Sequence, residues 1–254
     1  MIRQPVAAGI FYPADSARLA ESVDTLLAGA EALPRFEVRG LVAPHAGYVY
    51  SGTAAATALA LARGAERVAL LGPSHFVPLE ELAVSGADAW STPLGAVAVA
   101  RDLREVALEA GALIDDVPHA RDHALEVELP FLQRACRPGL EILPVAVGRA
   151  SAEAVATFVE ALGVPVVVST DLSHYHDDAA ARKQDRATAE AVLRREPAAI
   201  RRDAACGFFA LRGLVELACR ARLEVRLLDL RTSADAGGDP QRVVGYGAFA
   251  VGVA

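Results

Sequence analysis

The sequence predicts an α/β fold: a single domain over residues 1–254 with a mostly parallel central sheet and helices on both faces. Three observations predict it. Short apolar runs rich in Val, Ile and Leu recur at 37–43, 67–71, 140–147 and 164–168, and runs of that length read as buried strands. Segments with helical spacing of apolar residues stand between them, and strands alternating with helices build a parallel sheet covered on both sides. The 254 residues are 53% hydrophobic, with no linker-like break in composition and no internal repeat, which favours one core over several.

The elements follow in order. Leu19, Val23, Leu26 and Leu27 repeat at helical spacing over 15–31, with Asp15 or Ser16 as the cap. Strand 37–43 leads to an Ala-rich helix at 52–63, whose small side chains let it lie close on a sheet. After strand 67–71, residues 88–99 read as an irregular or hairpin excursion turned at Thr92-Pro93-Leu94-Gly95. Helices at 101–110 and 122–135 precede strand 140–147. Helix 151–162, strand 164–168, a polar helix at 177–195 and an apolar one at 206–222 come next. Strand 223–230, a loop from Thr232 to Pro240 and a Gly-rich strand at 242–253 complete the chain.

Composition narrows the function classes. The net charge is −7 and the basic residues are scattered, which argues against a nucleic-acid partner. Cys136, Cys206 and Cys219 are an odd number with no Cys-x-x-Cys, as expected in a reducing compartment. Residues Met1 to Pro13 lack the apolar stretch of a signal peptide. Residues 40–62 carry no formal charge over a length that could span a bilayer. Pro44, His45, Gly47, Tyr48, Tyr50, Ser51 and Gly52 break that stretch, so a strand, a loop and a helix explain it better. The expectation is a cytoplasmic protein without membrane span. There is no Walker loop and no Gly-x-Ser-x-Gly elbow. Gly245-Tyr246-Gly247-Ala248-Phe249-Ala250 matches a dinucleotide fingerprint only nominally, because no helix follows it.

Three apolar runs end in histidine: Gly40 to His45, Val68 to His75 and Val166 to His174. In an open α/β sheet, ligands bind beyond the carboxyl ends of the strands. Three imidazoles delivered there point to a transition metal or to acid/base chemistry. Pro44 stiffens one strand exit and Gly47 permits a tight turn beside a ligand. A loop histidine bonded to backbone is the plainer alternative. Asp171 and His174 are three residues apart and share a face if 169–171 opens a helical turn, making a proton-transfer pair. Otherwise Asp171 is an ordinary helix cap. His176 is expected to face away. Pro118 and an Asp122 cap place His119 outside the 122–135 helix, whereas His123 and Glu126 share a face as a second acid/base unit or a surface ion pair. Cys206, before Gly207 at a helix start, has the setting of a reactive thiolate, although free cysteine is commonly a small buried hydrophobe.

Taken together these segments resemble the Memo family, whose bacterial and archaeal members are named AmmeMemoRadiSam system protein B. The resemblance is carried by Arg3 to Pro13, Ala43-Pro44-His45-Ala46-Gly47-Tyr48, Leu71-Gly72-Pro73-Ser74-His75 and Ser91-Thr92-Pro93-Leu94-Gly95. It continues through Asp122 to Gln133, Asp171-Leu172-Ser173-His174-Tyr175, Cys206-Gly207, Gly238-Asp239 and Val243 to Tyr246. It implies a fold shared with the class III extradiol dioxygenases, whose non-haem iron is held by two histidines and a carboxylate, with cysteine in the carboxylate's place. Carried over, the metal ligands are His45, His75 and Cys206, and the catalytic residues are His174, Asp171 and His123. The implied cofactor is non-haem Fe(II), with Cu(I) or Zn(II) as alternatives that two imidazoles and a thiolate also suit. The implied partners are a small molecule or peptide and, by family context, a radical S-adenosylmethionine enzyme. The chain departs from the family after Cys206-Gly207, where Phe208-Phe209-Ala210 replaces a Pro-containing segment and makes the cleft wall more apolar. The expected function is metal-dependent redox chemistry on an unidentified substrate. An extradiol-type ring cleavage and a non-enzymatic metal- or peptide-binding module are the alternatives.

Overall fold

The computed structural model describes residues 1–30 and 36–253, and the last residue of the helix expected at 15–31 falls outside them. The chain runs β1 (Ile2–Arg3), α1 (Ser16–Ala28), β2 (Glu37–Ala43), α2 (Tyr48–Leu59), β3 (Arg67–Gly72), β4 (Leu82–Val84), β5 (Ala89–Thr92) and β6 (Gly95–Val99). It continues with α3 (Arg101–Glu109), β7 (Leu113–Ile114), α4 (Val117–Ala120), α5 (Leu129–Ala135), β8 (Glu141–Val147), α6 (Ala152–Leu162) and β9 (Val166–Ser169). The remainder is β10 (His174–His176), α7 (Asp178–Leu193), α8 (Phe208–Arg220), β11 (Glu224–Thr232) and β12 (Val243–Val253).

The strands join in the order β1-β5-β6-β8-β3-β9-β2-β12-β10, with β11 on β12 and β4 on β8. From β6 through β2 every neighbouring pair is parallel. β12 closes that block as an antiparallel neighbour of β2, placing Phe249 opposite Val42. Side chains alternate between two core layers, as a strand buried on both faces requires. Val42, Leu71, Val145 and Val168 pack with Phe158, Leu214 and Val192 from α6, α8 and α7. Leu41, Leu70, Ile142 and Val167 pack with Leu19, Ala55 and Phe131 from α1, α2 and α5. The α/β class, the parallel core and the two helical layers expected from the sequence are all present.

Three local expectations are corrected. The helix after β2 begins at Tyr48 rather than 52. The polar residues there are not loop: Tyr48 is buried and its hydroxyl donates to Val127 O at 2.8 Å, while the Ser51 hydroxyl donates to Ala46 O. The helix expected over 122–135 is only α5, and residues 124–128 are turns. Asp122 folds back to accept the Ala124 N–H at 2.9 Å, an Asx arrangement that competes with helix, and Pro130 is comfortable only in a first helical turn. His123 and Glu126 therefore share no helical face. No helical turn opens at 169–171 either. The Leu172 N–H donates to Gly245 O at 2.8 Å and His174 pairs with Val244, so this segment is tied to β12 in extended form. The short elements β1, β4, β7, β10 and α4 were not foreseen, being two to four residues long and below any readable period. The loop from Thr232 carries a single 3-10 turn at Ser233–Ala236 closed by a Thr232–Asp235 capping box.

Among the described residues, no helix is long and apolar enough to cross a membrane. The uncharged stretch 40–62 is the end of β2, a turn and α2.

A candidate metal centre at the strand ends

β2, β3 and β9 lie side by side and parallel, so their carboxyl ends open onto one crevice. His45 follows β2 by two residues and His75 follows β3 by three. Cys206 arrives from the far side, just ahead of α8. Its approach depends on Gly207, where a Cβ would stand 2.7 Å from Thr170 Cβ and 3.0 Å from Ser169 O. The Gly207 N–H donates to Thr170 Oγ1 at 2.8 Å and stitches the start of α8 to the end of β9. The result is that one ring nitrogen each of His45 and His75 and the Cys206 sulfur lie within 4.8 Å of one another.

Each donor is held from behind. His45 is 2% exposed; its Nε2 stands 3.3 Å from Cys206 Sγ and its Nδ1 2.8 Å from Ser169 Oγ. Burial, and then the charge of His75, drive its pKa well below the ordinary histidine value. It is a neutral imidazole, the form that binds metal. His75 is half-buried. Burial pulls its pKa down, but the Asp122 carboxylate and the Cys206 sulfur outweigh this and carry it up to about 10. The Asp122 carboxylate and the Cys206 sulfur thus favour the protonated ring of His75. The Cys206 sulfur also accepts the Asp171 N–H at 3.2 Å.

The residues expected to do acid/base work are placed differently. Asp171 is buried and its Oδ1 accepts the His45 backbone N–H at 2.9 Å; burial raises its pKa to about 7. It fixes the strand exit that presents His45 and does not pair with His174. The His174 Nδ1–H donates to Leu172 O at 2.8 Å, so its Nε2 carries the free lone pair. Burial lowers the His174 pKa. His123 stands face to face with His75, ring centroids 5.2 Å apart, with Phe11 stacked on it at 4.1 Å. Burial pulls its pKa down to about 4, leaving a neutral ring in the cleft. His119 is not in the site: it belongs to α4 and its side chain is buried, donating from Nε2 to Ala83 O at 3.0 Å against Trp90. His176 is exposed.

Asp122 is the residue that sequence reasoning treated only as a cap. Its carboxylate accepts the His75 backbone N–H at 2.6 Å and lies 3.1 Å from His75 Nδ1. His75, Asp122 and His123 form a second close group of ligating atoms. Because Asp122 already accepts two backbone N–H groups, its role is to support His75. Glu126 is enclosed, as its apolar neighbours Leu125, Leu129 and Leu132 lead one to expect, but it does not pair with His123. It is fully buried and binds the Arg3 guanidinium at 2.6 Å, the Val6 and Ala7 N–H groups at 2.8 Å each and the Tyr12 hydroxyl at 2.6 Å. That knot brings residues 3–12 across the crevice and sets Phe11 on His123. Only the adjacency of Asp122 and His123 in one ordered stretch hinted at the first role; nothing local pointed to the second.

Comparison with known proteins identifies the family of the chain. Residues 3–250 match the family model described as Memo-like protein. A MEMO1 family protein of Nitrosopumilus maritimus is 35% identical, the match covering 98% of this chain and 99% of the relative. One from Methanococcoides burtonii is 36% identical over 98% and 100%, and one from Aquifex aeolicus 34% identical over 96% and 97%. With a family model across nearly the whole chain and relatives aligned end to end, the chain belongs to the Memo family.

Proposed function

We propose that this chain is a metal-dependent redox protein in which His45, His75 and Cys206 hold a non-haem Fe(II), or in its place Cu(I) or Zn(II). His174 and His123 would act on a small molecule or peptide beside the metal, and Asp171 would position His45. The observation that carries the reading is the meeting of two imidazole nitrogens and a thiol, from three distant segments, within 4.8 Å. The donor set fits a metal. Two imidazoles and a thiol are donors that such an ion accepts, and the Cys206 Sγ to His45 Nε2 separation of 3.3 Å would let one ion be shared. When bound, such an ion supplies Lewis acidity and, for iron or copper, one-electron chemistry.

The chain's own residues supply the rest. Asp122 orients His75, as carboxylates behind metal-bound imidazoles commonly do. His174, with Nδ1–H spent on Leu172 O, offers Nε2 as a proton acceptor. Neutral His123 and the Phe11 ring wall off one side of the crevice. A thiolate in place of a carboxylate can itself be oxidised, which favours redox chemistry over oxygen-dependent cleavage of an aromatic diol. A radical S-adenosylmethionine enzyme as partner belongs to the same proposal, on family context alone.

The test is metal analysis of protein purified without oxygen, wild type beside Cys206→Ser. Near-stoichiometric iron or copper, lost in the variant, is the expected result. Wild-type protein that is metal-free and also fails to take up Fe(II), Cu(I) or Zn(II) overturns it. His174→Ala then separates enzyme from binding module: metal is retained in both, but only an enzyme loses turnover.

A further inference from the structure

Behind His45 the structure holds a second carboxyl group that the proposed chemistry does not use. Glu128 is fully buried, and its Oε2 is the one buried side-chain nitrogen or oxygen atom without a hydrogen-bond partner among the described residues. Its Oε1 lies 2.7 Å from Ser169 Oγ. The same Ser169 Oγ lies 2.8 Å from Ala124 O and 2.8 Å from His45 Nδ1.

Those three contacts admit few proton assignments. A serine hydroxyl has one proton to give and two lone pairs to receive. Ala124 O is a carbonyl and only accepts. If all three contacts are hydrogen bonds, the Ser169 proton goes to Ala124 O, and the other two neighbours must both donate. His45 then carries its proton on Nδ1, and Glu128 carries one on Oε1. We infer that Glu128 is a neutral carboxylic acid that donates to Ser169, and that Ser169 in turn holds His45 as its Nδ1–H tautomer with Nε2 free toward Cys206.

The unpartnered oxygen agrees with this. In an ionised Glu128, Oε2 would be half of a desolvated negative charge with no donor, whereas in a neutral acid it is a carbonyl oxygen, far cheaper to bury. Burial, and then the nearby Asp171 carboxylate, outweigh the Ser169 contact and carry the Glu128 pKa to about 8. Tyr48, the other titratable group packed near it, is itself pushed upward by burial and stays neutral. Glu128 and Ser169 are positioning residues: they act on the site only through His45. That the freed Nε2 serves as a metal ligand rests on the proposed function. The proton pattern does not, and it is testable in metal-free protein.

Two measurements on the metal-free wild type decide it. Infrared difference spectra with 13C-labelled glutamate at pH 7 are expected to show the carbonyl stretch of a buried neutral acid, and this band disappears in Glu128→Gln. Nitrogen-15 NMR of the imidazoles is expected to show His45 protonated on Nδ1. Glu128→Gln keeps that tautomer, because an amide N–H donates from the same place. Ser169→Ala mixes the two tautomers and weakens Zn(II) binding roughly 10- to 100-fold. A wild type without the acid band, or with His45 protonated on Nε2, overturns the inference. So does a folded Ser169→Ala whose His45 tautomer is unchanged. Neither wild-type spectrum depends on a variant folding, and failure to bind zinc at all would count against the metal site and not against the proton pattern.

Discussion

Asp122 grips His75 twice, taking its backbone N–H at 2.6 Å on one carboxylate oxygen and standing 3.1 Å from its ring Nδ1 with the other. The main-chain contact sets where the histidine starts and the ring contact sets which nitrogen it turns to Cys206. Asp122→Asn keeps the shape and removes the charge. Its expected effect is a loss of about 10- to 100-fold in Fe(II) or Zn(II) affinity, read by competition with a chromophoric chelator, with the fold retained by circular dichroism.

Glu126 collects one guanidinium, two backbone N–H groups and a tyrosine hydroxyl with no exposure of its own. Glu126→Ala leaves the Arg3 charge, whose side chain is 9% exposed, without its partner. Breaking a buried pair in this way costs about 3–5 kcal/mol. A urea midpoint lowered accordingly, together with new proteolysis within residues 3–12, is the expected outcome; an unchanged midpoint would show that the N-terminal knot contributes nothing.

The buried His119 makes stability depend on acid. Burial lowers its pKa to about 4, while in the unfolded chain it titrates near the ordinary value of about 6.5. Between those values the unfolded state binds the extra proton, so stability rises with pH through the window and is lost on acidification from 6.5 toward 4. His119→Gln removes this component. Its stability relative to wild type, measured by denaturant titration at several pH values, should improve steadily as the pH falls from 6.5 to 4 and change little above 7.

Gly207→Ala tests the seam that carries Cys206. A methyl there meets Thr170 Cβ at 2.7 Å, a β-branched side chain with little freedom to move. Overpacking of this kind costs about 1–3 kcal/mol. It should also push the thiol out of reach of His45 Nε2, so that metal affinity falls further than stability does. Equal affinity in the variant would show that Cys206 is not positioned by this contact.

The sequence made the layers legible because they rest on periodicity. Val166-Val167-Val168 and Leu70-Leu71 announce strands wherever they occur, and the histidines after them fall at strand ends by the geometry of a parallel sheet. His45, His75 and Cys206 were named together because of ordered motifs shared with the family. What stayed hidden was decided by contacts across the chain. Glu126 looked like a helix-face neighbour of His123, and only the return of Arg3, Val6, Ala7 and Tyr12 shows what it binds. Asp171 and His174 looked like a pair because spacing implies a helical turn. The tie of Leu172 to Gly245, more than seventy residues on, draws the segment out and parts them.

The crevice draws on residues near 11, 45, 75, 122, 170 and 206, and β2 is completed by β12, the last strand of the chain. During synthesis His45 and His75 leave the ribosome long before Cys206, and the strand that seals β2 emerges later still. The two imidazoles are therefore made well before the sulfur that lies beside them in the folded chain. The crevice takes its described form only after β12 has been made and paired with β2.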